Sequence, residues 1–132
     1  MFFGGILNSS ISPYAKLGKY DVKIGNGCNI LAGATVSNSV SIGECCLLYY
    51  GTIVTHDCVI GDYVEISSNI TLLGRCEVGP MTQIGANSTV LPNVKIGTNV
   101  VIGAESVVTN DVLDNSVVYG VPARFAKNRS AL

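Results

Sequence analysis

The sequence of 132 residues contains no tryptophan, one histidine and two methionines, and only 13% of it is charged. That charged fraction is about half the usual quarter, which excludes a disordered tail, a coiled coil or a surface-charged helical bundle. Neither sign of charge dominates: eight Lys+Arg face nine Asp+Glu, a net charge of -1. No basic cluster stands out, so the chain lacks both the cationic face of a nucleic-acid binder and the polybasic segment of a membrane anchor. The mean hydropathy is +0.43, yet no run is apolar enough to cross a bilayer. The longest uncharged stretch, residues 24–43, carries four glycines, three asparagines and three serines, a composition foreign to a spanning helix. The opening MFFGGILNSS has no positive n-region and no cleavage site, so no secretory signal is expected. These absences point to a soluble, cytoplasmic protein.

What is present is glycine, aliphatic residues and order. Fifteen glycines accompany a 48% hydrophobic composition rich in Ile, Val and Thr, which favours strands and turns. Counting in sixes from Ile24 to Val108 meets fifteen positions, and every one is Ile, Leu or Val. With about three residues in ten of that type, such a run arises by chance about once in 10^8 trials. The frame reaches back to Leu17 and Ile11, with one extra residue inserted before Ile24. Positions four after each anchor are mostly small or β-branched. Gly25, Gly43, Gly61, Gly79 and Gly97 each follow an anchor at intervals of eighteen, where backbone turning a corner favours glycine.

Three hexads per coil describe a triangular prism with one short strand on each side: an all-β, parallel β-helix of hexapeptide repeats. About five to six coils are expected. Residues 1–10 would form a lead-in, 11–113 the β-helix and 114–132 a short C-terminal loop and tail. A helix needs apolar residues near a period of 3.6 and a hairpin sheet needs a period of two, and neither yields an unbroken six.

Five cysteines raise the question of a metal or a disulfide framework. Cys28, Cys46, Cys58 and Cys76 all fall on the small inward position, Cys45 merely adjoins one of them, and no CxxC pair exists. Buried reduced thiols in the core are therefore expected, and no metal. Leu31, Tyr49, Leu73, Leu91, Leu47, Ile53 and Val59 face outward in this frame. So much outward apolar surface suits packing of flat prism faces into a homotrimer.

The single histidine, His56, lies two after anchor Val54, on the outside of the prism. A lone exposed histidine is most often an ordinary surface residue. Here Asp57 is adjacent, and a carboxylate beside an imidazole orients the ring, fixes its tautomer and raises its basicity. Gly74, one coil on, offers no side chain, so a ligand can approach the backbone there. A nearby column runs Ala32, Tyr50, Ser68, Ala86, Ala104, with small residues rising from a tyrosine like the wall of a groove.

At THDCVIGDYVEIS, at GPMTQIGANSTVLPNVKIGTNVVIGAESVVTNDV and at VVYGVPAR, the sequence resembles bacterial hexapeptide-repeat sugar acetyltransferases. The resemblance is to the sialic acid O-acetyltransferase type and to the nucleotide amino-sugar N-acetyltransferases of the bacillosamine pathway, over residues 8–127. It implies a left-handed coil, a trimer, acetyl-CoA as co-substrate and a sugar or nucleotide-sugar acceptor. By the same resemblance His56 is the general base, Asp57 its acidic neighbour, and Gly74 the donor of a backbone N–H to the thioester carbonyl. Glu65, Ala86 and Ala104 would contact acetyl-CoA, and Arg124 and Lys127 of the closing loop would meet its phosphates. Relatives usually carry an N-terminal domain of βαβ type that helps hold the sugar. The resemblance here begins almost at once, as expected for a truncated form or a stand-alone transferase.

Three other functions compete. A zinc carbonic anhydrase on this fold needs three histidines. An ice-binding β-helix needs a regular threonine ladder, whereas the outward threonines here are scattered. A catalytically impaired scaffold would keep the hexads and lose the base, against which stands the intact His56-Asp57 pair.

Overall fold

The computed structural model describes residues 8–130; most of the expected lead-in, residues 1–7, lies outside them. Every regular element among the described residues is a strand, and most are only two residues long. Each short strand is an outward residue followed by an inward anchor, as in Val59–Ile60 and Glu65–Ile66, where the first is exposed and the second buried. The chain then turns and starts the next side of the triangle. Strands eighteen apart pair in parallel, Thr71 with Ile53 and with Thr89, Glu65 with Leu47 and with Gln83. The result is a β-solenoid of about six turns whose three faces hold 8, 6 and 5 strands.

The interior is a single column of stacked aliphatic side chains. Ile30, Leu48, Ile60, Ile66, Leu72, Ile84 and Ile102 are all essentially inaccessible. The early anchors belong to the same frame, with Ile11 opposite Ile30 and Leu17 opposite Val36. They are about two-fifths exposed, because no described coil stacks beyond them. Cys28, Cys46, Cys58 and Cys76 are buried and unbridged, as expected from the frame, and Cys45 is half-buried.

Two features of the coil differ from the hexad expectation. Glycine after the anchor is not where the backbone turns left-handed. Gly25, Gly43 and Gly61 have ordinary φ values; the positive φ falls two residues later, at Gly27, Cys45 and Tyr63. Those glycines are needed for close approach: a Cβ on Gly25 would sit 2.5 Å from the Gly43 carbonyl oxygen one coil away. The last coil is also two residues short. Val112, expected at the small inward position, instead bridges to Ile96, and Val118 pairs with Ile102 and is buried. Stacking therefore continues into Ser116–Gly120, which folds back on Ala123–Asn128 as an antiparallel hairpin with a bulge at Val117/Val118. Among the described residues, no helix is long and apolar enough to cross a membrane.

Candidate active site

At one edge of the prism the chain turns through Tyr20, Asn38, His56 and Gly74 on successive coils. A ladder of backbone hydrogen bonds holds these corners in register. Ser39 N–H donates to Tyr20 O at 3.0 Å, Asp57 N–H to Asn38 O at 3.2 Å, Arg75 N–H to His56 O at 3.0 Å and Asn93 N–H to Gly74 O at 2.9 Å. The donors of this ladder occupy the left-handed position of each corner, including Asp57 (φ 61) and Arg75 (φ 63). Asp is among the residues that tolerate this conformation best. Thr55 locks the strand before the histidine by donating its Oγ1 to Leu72 O at 2.8 Å.

His56 and Asp57 are both about half exposed, and His56 Nδ1 lies 2.8 Å from Asp57 Oδ2. With Nδ1 engaged by the carboxylate as donor, Nε2 is left as an acceptor. The ring lies over Gly74: a Cβ added there would fall 2.6 Å from His56 Cε1 and 2.7 Å from Nε2. Any side chain at position 74 would displace the imidazole. The Gly74 N–H, meanwhile, makes none of the hydrogen bonds found among the described residues. At this corner the next coil offers Pro92, which has no side-chain acceptor to cover it; at another corner Glu44 and Asp62 carboxylates take the corresponding N–H groups of Asn26 and Glu44. An accepting nitrogen thus lies against an unused backbone donor; Gly74 itself is buried, and the imidazole occupies the approach to its backbone that the missing side chain was expected to leave to a ligand. Such a pair can remove a proton from a nucleophile and stabilise an oxyanion.

The remaining expected residues lie elsewhere on the prism. Glu65 is exposed on the face that also carries Leu47, Gln83 and Val101. Ala86 and Ala104 stack at a second corner, in a ladder where Asn87 N–H donates to Ser68 O and Glu105 N–H to Ala86 O. Arg124 and Lys127 lie on the outer strand of the terminal hairpin, exposed. The corner of small residues is therefore one face away from the histidine corner within a single chain. His56, Asp57 and Gly74 come together; the other five do not join them.

The structure brings two outward apolar residues of the hexad frame to the site and adds a third, Pro92. Leu73 and Leu91 are half-buried beside the corner and Pro92 is exposed above Gly74, giving an apolar strip just past the imidazole. The signal for it was the run Leu91-Pro92 on the edge whose lower coils carry Ser37-Asn38 and Thr55-His56. Beneath the corner, the Cys58 thiol donates to Leu73 O at 3.3 Å and the Cys76 thiol to Leu91 O at 3.0 Å. The adjacent Cys76 thiol is the main influence drawing Cys58 down to about 7, and the adjacent Cys58 together with burial pushes Cys76 far up. Among the described residues no group of three or more His, Cys, Asp or Glu side chains is arranged to hold a metal ion.

Residues 75–110 match the family described as bacterial transferase hexapeptide (six repeats). No curated protein matches the sequence. Among solved structures, the acetyltransferase domain of PglB from Neisseria gonorrhoeae is 28% identical with a TM-score of 0.91, covering 93% of this chain and 60% of its own. PerB from Caulobacter crescentus, solved with CoA and GDP-perosamine, is 31% identical with a TM-score of 0.92, covering 94% of this chain and 59% of its own. AntD from Bacillus cereus, an N-acyltransferase solved with dTDP and 3-hydroxybutyryl-CoA, is 26% identical with a TM-score of 0.86, covering 93% of this chain and 81% of its own. The chain thus resembles sugar N-acetyltransferases along nearly its whole length, and spans about three-fifths of PglB's acetyltransferase domain and of PerB.

Proposed function

We propose that this chain, kin in repeat and fold to the hexapeptide-repeat sugar acetyltransferases, transfers an acetyl group from acetyl-CoA to the amine or hydroxyl of a sugar. The observation that carries the reading is the His56 imidazole, tied through Nδ1 to Asp57 and lying on Gly74. PglB's acetyltransferase domain and the N-acyltransferase AntD, with PerB solved with CoA and GDP-perosamine and AntD with dTDP and 3-hydroxybutyryl-CoA, support the substrate class.

The reaction is direct. The acceptor nitrogen or oxygen attacks the acetyl carbon while His56 Nε2 takes its proton, a step worth about 10²–10⁴-fold in rate. Asp57 holds the ring through Nδ1, with Nε2 over Gly74. Charge builds on the thioester oxygen, to which the Gly74 N–H, buried beside the ring, would donate once the imidazole yields room for the thioester. The C–S bond then breaks, and the departing coenzyme thiolate recovers a proton. Of the five remaining contacts, Glu65, Ala86, Ala104, Arg124 and Lys127 are assigned to acetyl-CoA. Because Ala86 and Ala104 sit one face away from His56, the coenzyme must either span that face or lie between two copies of a homotrimer.

The test is a thiol-release assay with acetyl-CoA against a panel of nucleotide amino sugars and sialic acid. His56→Ala should lose at least about 10²-fold in turnover while its CoA affinity and folded state persist. Wild-type turnover in that variant would remove the assigned base.

A further inference from the structure

The imidazole and Gly74 belong to successive coils, so their contact depends on how firmly those coils are tied at this edge. The pair that orients the ring does not tie them. His56 and Asp57 are both about half exposed, and a solvent-exposed pair of this kind contributes little by itself. Both also lie on one coil, so their bond turns the ring without holding it to the next coil.

Thr55 makes the tie. Along this edge the residue after each anchor donates its backbone N–H to the anchor carbonyl one coil on: Gly18 to Val36, Ser37 to Val54, Thr55 to Leu72 and Leu73 to Val90. Of the side chains in this column, only that of Thr55 adds a hydrogen bond found among the described residues. Its Oγ1 donates to Leu72 O at 2.8 Å, beside its own N–H at 2.9 Å. A β-branched side chain has few rotamers to lose, and this bond is partly shielded from water. The other side of the corner is fastened from beneath, where the buried Cys58 thiol reaches Leu73 O at 3.3 Å. The two carbonyls that lead into Gly74 therefore each take a side chain from a residue flanking His56-Asp57. A thiol is the weaker donor, so the hydroxyl is the stronger of the two ties.

The space beside Gly74 holds the ring and leaves no room for one added methyl, and small misplacements of a reacting group are costly in rate. We propose that Thr55 is a positioning residue for the transfer: its hydroxyl fastens the His56 coil to the Gly74 coil, which keeps the ring on Gly74 and its Nδ1 on Asp57. This rests on the transferase reading above and adds to it a residue that touches neither donor nor acceptor.

The chain has one histidine, so its tautomer is read directly by NMR of protein labelled with nitrogen-15 histidine, in alkaline solution where the ring is neutral. Wild type and Thr55→Ser should show the Nδ1–H form, and Thr55→Val a mixture of Nδ1–H and Nε2–H forms. In thiol release with acetyl-CoA and the best acceptor of the panel above, kcat should fall about tenfold in Thr55→Val with both KM values within about twofold, and recover in Thr55→Ser. Thr55→Leu copies Leu73 and Leu91 of the same column, which the fold accepts, and should behave as Thr55→Val. Thr82→Val controls for general loosening. It removes a buried hydroxyl that donates to Gly97 O at 2.9 Å on another edge, and should lower the unfolding midpoint with tautomer and kcat unchanged. Wild-type tautomer and kcat in Thr55→Val and Thr55→Leu would overturn the role and leave the transferase reading standing. Failure of serine to restore them, or an equal loss in Thr82→Val, would overturn it as well. A tautomer that depends on the Thr55 hydroxyl in a protein that releases no thiol would sink the transferase reading and keep the tie.

Discussion

At the scale of single residues, the site depends on an absence. Gly74 has no side chain, and the imidazole fills the space that one would occupy. Gly74→Ala should therefore push the ring aside without unfolding the coil, since an exposed histidine can swing into solvent. Displacement of about 1 Å at a reacting group costs about 10²-fold, so turnover should fall by that order while the unfolding midpoint moves little. An alanine variant with full activity would mean that the ring does not work from above Gly74. The cysteines make a different residue-scale point. Burial is the main cause raising the Cys46 thiol to about 11. Cys58 is drawn down to about 7, but its sulfur is inaccessible, so access limits its reaction rather than ionisation. Native protein treated with iodoacetamide and read by mass spectrometry should carry label on Cys45 alone, the one cysteine that is not fully buried. Labelling of Cys58 at a comparable rate would show that the coil opens at the site.

Among the structural elements, the corners and faces divide the labour. Two-residue strands have almost no capacity to stand alone; each is held by the coils above and below, as in any solenoid. Core anchors should therefore behave like ordinary buried aliphatics. Leu72→Ala, at 0% exposure on the face leading to the histidine corner, should cost about 2–5 kcal/mol. Gly61→Ala acts by crowding instead: its Cβ would lie 2.8 Å from the Pro80 nitrogen, which should cost about 1–3 kcal/mol. Urea unfolding of both variants measures this. If Gly61→Ala were neutral, the close approach of neighbouring coils would not be what retains glycine there. The position after the anchor was legible as glycine, but the reason was not, because spacing alone does not distinguish a residue needing positive φ from one needing room.

For the molecule as a whole, the prism leaves apolar side chains outside. Tyr49 and Ile53 are each 41% exposed and Val59 48%, spread around the prism. A threefold assembly would cover those turned towards neighbouring copies, and light scattering should then return three times the chain mass. A monomer at micromolar concentration would leave the exposed faces unexplained and remove the option of a coenzyme held between copies.

The hexad count alone determined the β-helix, the inward direction of four cysteines and the stacking of Gly74 on His56. A period of six in aliphatic residues admits one economical way to bury them, and a period of eighteen then fixes every vertical neighbour. What only the tertiary structure decided lies where the period breaks or where side chains choose directions. The inserted residue before Ile24 was visible as a count, yet its absorption at the Tyr20 corner shows only in the backbone ladder. The shortened last coil, which carries Val112 to Ile96 and Val118 to Ile102, was hidden because Asp114 interrupts the aliphatic frame. The separation of the histidine corner from the Ala86-Ala104 corner by a full face follows from geometry, since adjacent hexads lie on different edges of a triangle. The bond from His56 to Asp57 needed the left-handed turn at Asp57, a backbone choice that neighbouring letters in a sequence do not announce.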